Sequence, residues 1–340
     1  SNTTVAKASA SGVEQEDPPA EEPASGEKTG VDKQAADLTT FAGDKKEGGS
    51  TGDPESESAE TPGGTVAVAA GLAVTVTEAT VRAENTGAIT TTGNTSITSE
   101  SAADSKAEAD GSAVNGSNSV GIGAAVAVNT LTQSNTSTAR NISSDVGLTV
   151  GATQIGGEEN DSGAIATSGA GAANVGVAGS VAVNVVNNQS TATYANGVVR
   201  GGAVDIDASN RSASITKAGA TIEGEGDSVG VGAGVAVDVG VNETLAVIAA
   251  DADIAGSSSV AVDADSSFTA DLKSEAGQQG ESSGGSVGVT GTVAVGVYSN
   301  STRARIAAAS NSLVSASEVH VGASHTNNIG IETGADAAGA

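Results

Sequence analysis

From residue 63 onward the chain alternates apolar with small or polar residues at a period of two, and the alternation itself recurs. The pattern V-x-[VI]-x-x-x-[VL]-A-V stands at 66–74 (VAVAAGLAV), 120–128 (VGIGAAVAV), 175–183 (VGVAGSVAV), 229–237 (VGVGAGVAV) and 287–295 (VGVTGTVAV). Its starts lie 120−66=54, 175−120=55, 229−175=54 and 287−229=58 residues apart. Period two puts successive side chains on opposite faces of an extended strand. A repeat of this size signals stacked units, each burying an apolar face that it could not bury alone. Apolar residues at three- and four-residue spacing are rare outside the Ala-rich stretches, and Val and Thr favour strands, so the helical alternative is rejected.

Other features keep their phase within the unit. Asn135, Asn188, Asn242 and Asn300, each followed by Ser or Thr at the next position or the one after, come thirteen to fifteen residues after the last four starts. Asn tolerates the left-handed conformation of turns, so the first strand is expected to end there, at about eleven residues. A second short strand follows (STARNIS, TATYA, LAVIAA), then a Gly/Asn/Ser turn and a third strand (TSITS, LTVGA, VDIDA, VAVDA, VHVGA). A polar Ala/Ser/Lys/Glu-rich segment closes each unit, as in ESAADSKAEADG and SSFTADLKSEAG.

The stretch VGVGAGVAVDVG (229–240) poses a question of faces. Val229, Val231, Ala233, Val235, Val237 and Val239 share one face and are expected to fill the inside. Gly230, Gly232, Gly234 and Ala236 present almost bare backbone. Glycine weakens a strand, so its repeated use implies close approach of something there. Either a narrow interior demands tiny side chains with both faces partly buried, or the Gly/Ala face is a lateral contact between molecules.

Composition sharpens this outline. Hydrophobic residues make up 37% of the chain but aromatic ones only 1%, with two Tyr, two Phe and no Trp, Met or Cys. The core must therefore be thin and built from small aliphatic side chains. A formal charge of −27 argues against nucleic-acid or anionic-membrane binding. No run of eighteen apolar residues could span a bilayer as a helix. There is no initiator Met and no signal-peptide pattern, so the sequence reads as a piece of a longer protein.

All five prolines fall within the first 62 residues, with 14 acidic residues against five lysines. Residues 1–12 resemble the closing segments and are expected to end an upstream repeat. Residues 13–62 are expected to be an acidic, disordered insertion. Residues 63–340 then divide at about 63–118, 119–173, 174–227, 228–285 and 286–340.

Candidate chemistry is sparse. His320 and His325 have no counterparts in the other units, so they read as solvated strand and turn residues. Asp205/Asp207, Asp251/Asp253 and Asp263/Asp265 each put two carboxylates on one strand face, where oxygen ligands could meet calcium; equivalent positions elsewhere are Thr, Gly or His, and charged faces also block sheet aggregation. Asn-x-Ser/Thr sites include Asn135, Asn141, Asn188, Asn242 and Asn300, in a chain rich in all three residue types. No phosphate loop, partnered nucleophile or aromatic-lined sugar cleft is present, so an enzyme is not expected and no catalytic, cofactor or metal residue is assigned.

The stretches NVGVAGSVAVNVVNNQSTATYANGVVRGGAVDIDAS and SVGVGAGVAVDVGVNETLAVIAADADIAGSSSVAVDADS resemble the β-strand repeats of large bacterial surface exoproteins, the filamentous-haemagglutinin-like and leukotoxin-type filamentous adhesins. The resemblance covers about 63–340. It implies an exported, elongated stalk at the cell surface, acting in adhesion, biofilm or filament assembly, with no active site. The expectation is thus an all-β parallel β-solenoid (β-helix) of about five repeats, located outside the cell or on the bacterial surface. Self-association through Gly/Ala-rich strand faces or adjacent repeats is its expected partnership, without nucleic acid or membrane insertion, and an unknown host or cell-surface ligand stays open. The alternative is an extracellular calcium-binding module stiffened by Asp-rich edges.

Overall fold

The computed structural model describes residues 2–11, 66–114, 120–156, 158–172, 174–224, 229–279, 287–307 and 314–337. The 13–62 insertion lies outside the described residues. The first strand is β1 (Asn2–Ser11), followed by β2 (Val66–Glu84), β3 (Ile89–Thr91), β4 (Asn94–Ser101) and β5 (Ala103–Val114). Next come β6 (Val120–Ala139), β7 (Ile142–Ser144), β8 (Gly147–Gln154) and β9 (Asn160–Ala172). Two longer pairs follow, β10 (Val175–Arg200) with β11 (Ala203–Gly224) and β12 (Val229–Ser257) with β13 (Ser259–Gln279). The last are β14 (Val287–Ile306), β15 (Val314–Ala316) and β16 (Val319–Asp336).

Every described strand pairing is parallel, and no helix occurs among the described residues, in keeping with the all-β expectation. The strands form two sheets. One runs β1-β5-β9-β11-β13-β16, with β8 beside β11 and β4 beside β8; the other runs β14-β12-β10-β6-β2. We call them the closing sheet and the opening sheet. The repeat fixes the register: Val120, Val175, Val229 and Val287 are aligned across the opening sheet, and Asp207 is aligned with Asp263 in the closing sheet. Adjacent strands thus carry the same sequence position, and like side chains stack on like.

The first and second expected strands are one continuous strand in β2, β10, β12 and β14. Asn135, Asn188, Asn242 and Asn300 sit within strands rather than at turns. Asn135, Asn188 and Asn242 are buried, their amide nitrogens donating to the Thr153 carbonyl, the Ser212 hydroxyl and the Asn300 amide oxygen. That overturns the turn reading: inside a thin two-sheet stack a short amide satisfies polar neighbours. The polar closing segments are likewise strands, β5 and the later halves of β11 and β13.

The sheets stack face to face, and the gap between them widens along the strands. At the start of the opening strands the sheets all but touch. A Cβ on Gly123 would stand 2.0 Å from the Gly169 carbonyl oxygen of the closing sheet. Alanines fill the next layer, among them Ala107, Ala127, Ala166, Ala182 and Ala236. Beyond a polar seam, the far end holds Ile142, Leu148, Tyr194, Ile206, Ile248 and Ile254 in the largest apolar cluster. The chain turns from β10 into β11 through Gly201 and Gly202, both with positive φ, and a Cβ on Gly202 would fall 1.0 Å from the Val146 oxygen. Only glycine fits such a corner.

Candidate functional site

The face assignment inverts the sequence expectation. Gly230, Gly232, Gly234 and Ala236 are buried against the closing sheet, whereas Val229 and Val231 are 42% and 38% exposed. The narrow-interior explanation therefore accounts for the glycines, and the valines face outward. The Gly/Ala faces of these strands are covered by the closing sheet.

Repeated across five strands, the outward valines form a grid. Its rows, read across the sheet, are Val66/Val120/Val175/Val229/Val287, Val68/Ile122/Val177/Val231/Val289, Leu72/Val126/Val181/Val235/Val293, Val74/Val128/Val183/Val237/Val295 and Val76/Thr130/Val185/Val239/Val297. Between the second and third of these runs a row of small residues, Ala70/Ala124/Gly179/Ala233/Gly291. No charged residue stands among these thirty positions, and Leu72 is 62% exposed. The next row, Glu78/Thr132/Asn187/Val241/Ser299, is polar except for Val241.

The outer face of the closing sheet is the opposite in character. It carries ion pairs such as Lys106–Glu108 (3.1 Å), Lys217–Asp271 (3.0 Å) and Lys273–Glu275 (2.9 Å), and the acidic residues Asp205, Asp207, Asp263 and Asp265. A shallow depression of about 550 Å³ is lined by Thr153, Asp207, Ser209, Arg211, Asp265 and Ser324. Partial burial, then the neighbouring Asp205, Asp265 and Asp263, push the Asp207 carboxyl up to about 6. His320 Nε2 lies 3.0 Å from Asp263 Oδ1, and His325 Nδ1 meets the Ser266 hydroxyl. Asp251 and Asp253 lie apart from this cluster, in the opening sheet near its Gly256 corner. The structure thus brings two of the three Asp pairs side by side; among the described residues no three His, Asp or Glu side chains are grouped to hold a metal ion.

Between the sheets, a line of hydrogen bonds that the sequence reading missed runs along the stacking direction. Thr77 and Ser105 hydroxyls lie 2.8 Å apart. Ser105 Oγ donates to Asn129 Oδ1 (2.6 Å), Asn129 Nδ2 to Asn184 Oδ1 (2.8 Å), Asn184 Nδ2 to Ser214 Oγ (2.7 Å), and Ser214 Oγ to Asp238 Oδ2 (2.7 Å). Tyr298 donates to the same carboxylate oxygen at 3.0 Å. From Ser105 every donor points toward Asp238, and such aligned bonds polarise one another. The signal was present in the sequence: positions 129, 184 and 238 are in phase and read Asn, Asn, Asp.

Asp238 is fully buried and its Oδ1 has no hydrogen-bond partner among the described residues. Burial raises its pKa, against the lowering pull of Ser214, Tyr298 and Asn184. A folded-state value above the unfolded one favours the protonated form, so stability present in acid is lost as pH rises past the unfolded carboxyl value of about 3.9 toward the folded one. Asp238→Asn removes the buried charge and is therefore expected to raise stability at pH 7 and to change it little below about pH 4. Thermal melts of both proteins at the two pH values check this; an equal shift at both would show that the carboxylate charge is not the cause.

No protein-family model, curated protein or solved structure matches this chain.

Proposed function

We propose that this chain is a structural stalk or filament segment of a large secreted or cell-surface protein, folded as a parallel β-solenoid and acting in adhesion, biofilm or extracellular filament assembly. The observation that supports this reading is the in-register parallel pairing of successive repeats, Val120 to Val175 to Val229 to Val287, which repeats one cross-section along one axis. Backbone hydrogen bonds between neighbouring repeats carry load along that axis, and each added repeat lengthens the stack without altering its profile. The role is mechanical: the unit supplies reach. A charged outer face suits a protein exposed to solvent.

Small-angle scattering tests the architecture. Inserting three further copies of residues 175–228 after position 228 is expected to lengthen the particle by about 14 Å at constant cross-section, one strand spacing per copy. A cross-section that grows instead overturns the solenoid reading. Antibodies against the chain are expected to decorate intact producing cells from outside; label found only after permeabilisation overturns the surface role.

A further inference from the structure

We propose that the outward valine face of the opening sheet is a self-docking surface, on which a second copy of this chain packs face to face about a two-fold axis parallel to the stacking direction. The inference goes beyond the stalk reading and rests on the surface alone. All-parallel sheets in other folds have both faces covered, and their strands carry near-continuous Val, Ile and Leu. Here one face is covered by the closing sheet and the other is not.

The size of the face fits a partner. Ten residue intervals along the strands and five strands across give roughly 33 Å by 24 Å, or about 800 Å². That exceeds the largest apolar patch on a typical monomer, about 300–600 Å², and equals the roughly 800 Å² per partner of a standard stable interface.

Its pattern fits a copy of itself. The two-fold operation reverses strand direction, so in β10 each position pairs with the one that completes a sum of 360: 175 with 185, 177 with 183, 179 with 181. This superposes all six rows on all six rows. It also sets the small row at Gly179 opposite the large row at Val181, twice, by symmetry. Each ridge fills the partner's groove, and no row is left uncovered. The absence of charge matters as well. Two chains of formal charge −27 repel one another, and this charge-free face with the acidic sheet directed away is where they meet at least cost. Residues 12–65 contain few large apolar side chains, namely Val13, Val31, Leu38 and Phe41.

Sedimentation of the full chain is expected to show a dimer at about 50 µM, a concentration at which an interface of this size is populated. Val181→Lys with Val235→Lys, which buries unpaired charge at the centre, is expected to weaken association by more than about 100-fold while the melting curve at low concentration is retained. Thr167→Lys, on the outer face of the closing sheet, is expected to leave the dimer intact. A chain that stays monomeric, or a dimer indifferent to the double substitution, overturns the proposal and leaves the face to a different partner. Orientation is tested separately with a spin label at Asn187→Cys, a clean site because the chain has no cysteine. Labels fourteen residue intervals apart, roughly 46 Å, are expected; a separation below about 20 Å would mean that the strands run the same way in both copies and overturns this arrangement.

Discussion

Gly123→Val is expected to cost about 3 kcal/mol or more, the upper end of what overpacking produces. The added Cβ would meet the Gly169 oxygen at 2.0 Å and the Gly111 oxygen at 2.7 Å. Both are backbone atoms of the closing sheet, held in their own ladders, so no side chain can swing aside. The two sheets must part locally, and parting them exposes the alanine layer built around Ala127 and Ala166. Gly219→Val is the matched control. It lies on the outward face of the closing sheet with nothing within 4 Å of the new Cβ, and valine favours a strand, so its stability is expected to be unchanged or slightly raised. Hydrogen exchange reads the difference. Gly123→Val is expected to lose amide protection first in β5, β6 and β9, while β13 and β16 keep theirs, because repeats communicate through their neighbours. Equal behaviour of the two variants would mean that the sheets do not approach as closely as described.

Tyr194→Ala is expected to cost about 3–5 kcal/mol, the range for truncating a buried aromatic side chain. Tyr194 is fully buried among Ile142, Leu148, Ile206, Ile248 and Ile254, at the end where the sheets stand furthest apart. No neighbour can refill that space without collapsing the wedge. Tyr194→Phe isolates the hydroxyl, which has no hydrogen-bond partner among the described residues. Keeping the ring and removing an unsatisfied polar atom is expected to be neutral or stabilising by up to about 1 kcal/mol. Denaturant melts of the three proteins check the order Phe at or above wild type, then Ala far below. A phenylalanine variant as weak as the alanine one would show that the hydroxyl, not the ring, holds this end together.

Alternation at period two and recurrence near every 55 residues were enough to read an all-β, parallel, in-register stack, because both follow from backbone geometry. Which face points inward was not settled by the valines themselves. The glycine face of the stretch 229–239 ends in a charged residue, Asp238, while the other face is wholly apolar, and burying the larger side chains is the ordinary expectation. The deciding clue lies further along the same strands. In β2 the valine face continues into Glu78, Arg82 and Glu84, in β10 into Asn187 and Gln189, and in β14 into Arg303 and Arg305. The glycine face continues instead into Asn188, Ala192 and Tyr194. Parity followed past the repeat motif assigns the faces. The Asn positions were misread for a related reason: asparagine serves turns and buried ladders alike, and only the partner strands, distant in sequence, distinguish them. Asp238 was invisible as a buried carboxylate because its partners, Ser214 in the unit before and Tyr298 in the unit after, are distant in sequence.

The unequal spacing of the repeats has its explanation in the corners. Val175 pairs with Val229 at an offset of 54, Asn196 with Asp251 at 55 past an irregularity after Tyr194, and Ala203 with Ser259 at 56 beyond the Gly201–Gly202 turn. Each sheet keeps its own alignment, and differences in length are taken up at bends and bulges between them. In sequence, residues 12–65 separate β1 from β2, and residues 115–119 separate β5 from β6 in the next unit. Closing a longer loop costs only about 0.6 kcal/mol for each doubling of its length. New sequence can therefore enter at a corner while every ladder stays paired, so such a protein is free to change what it displays along its sides without rebuilding what holds it up.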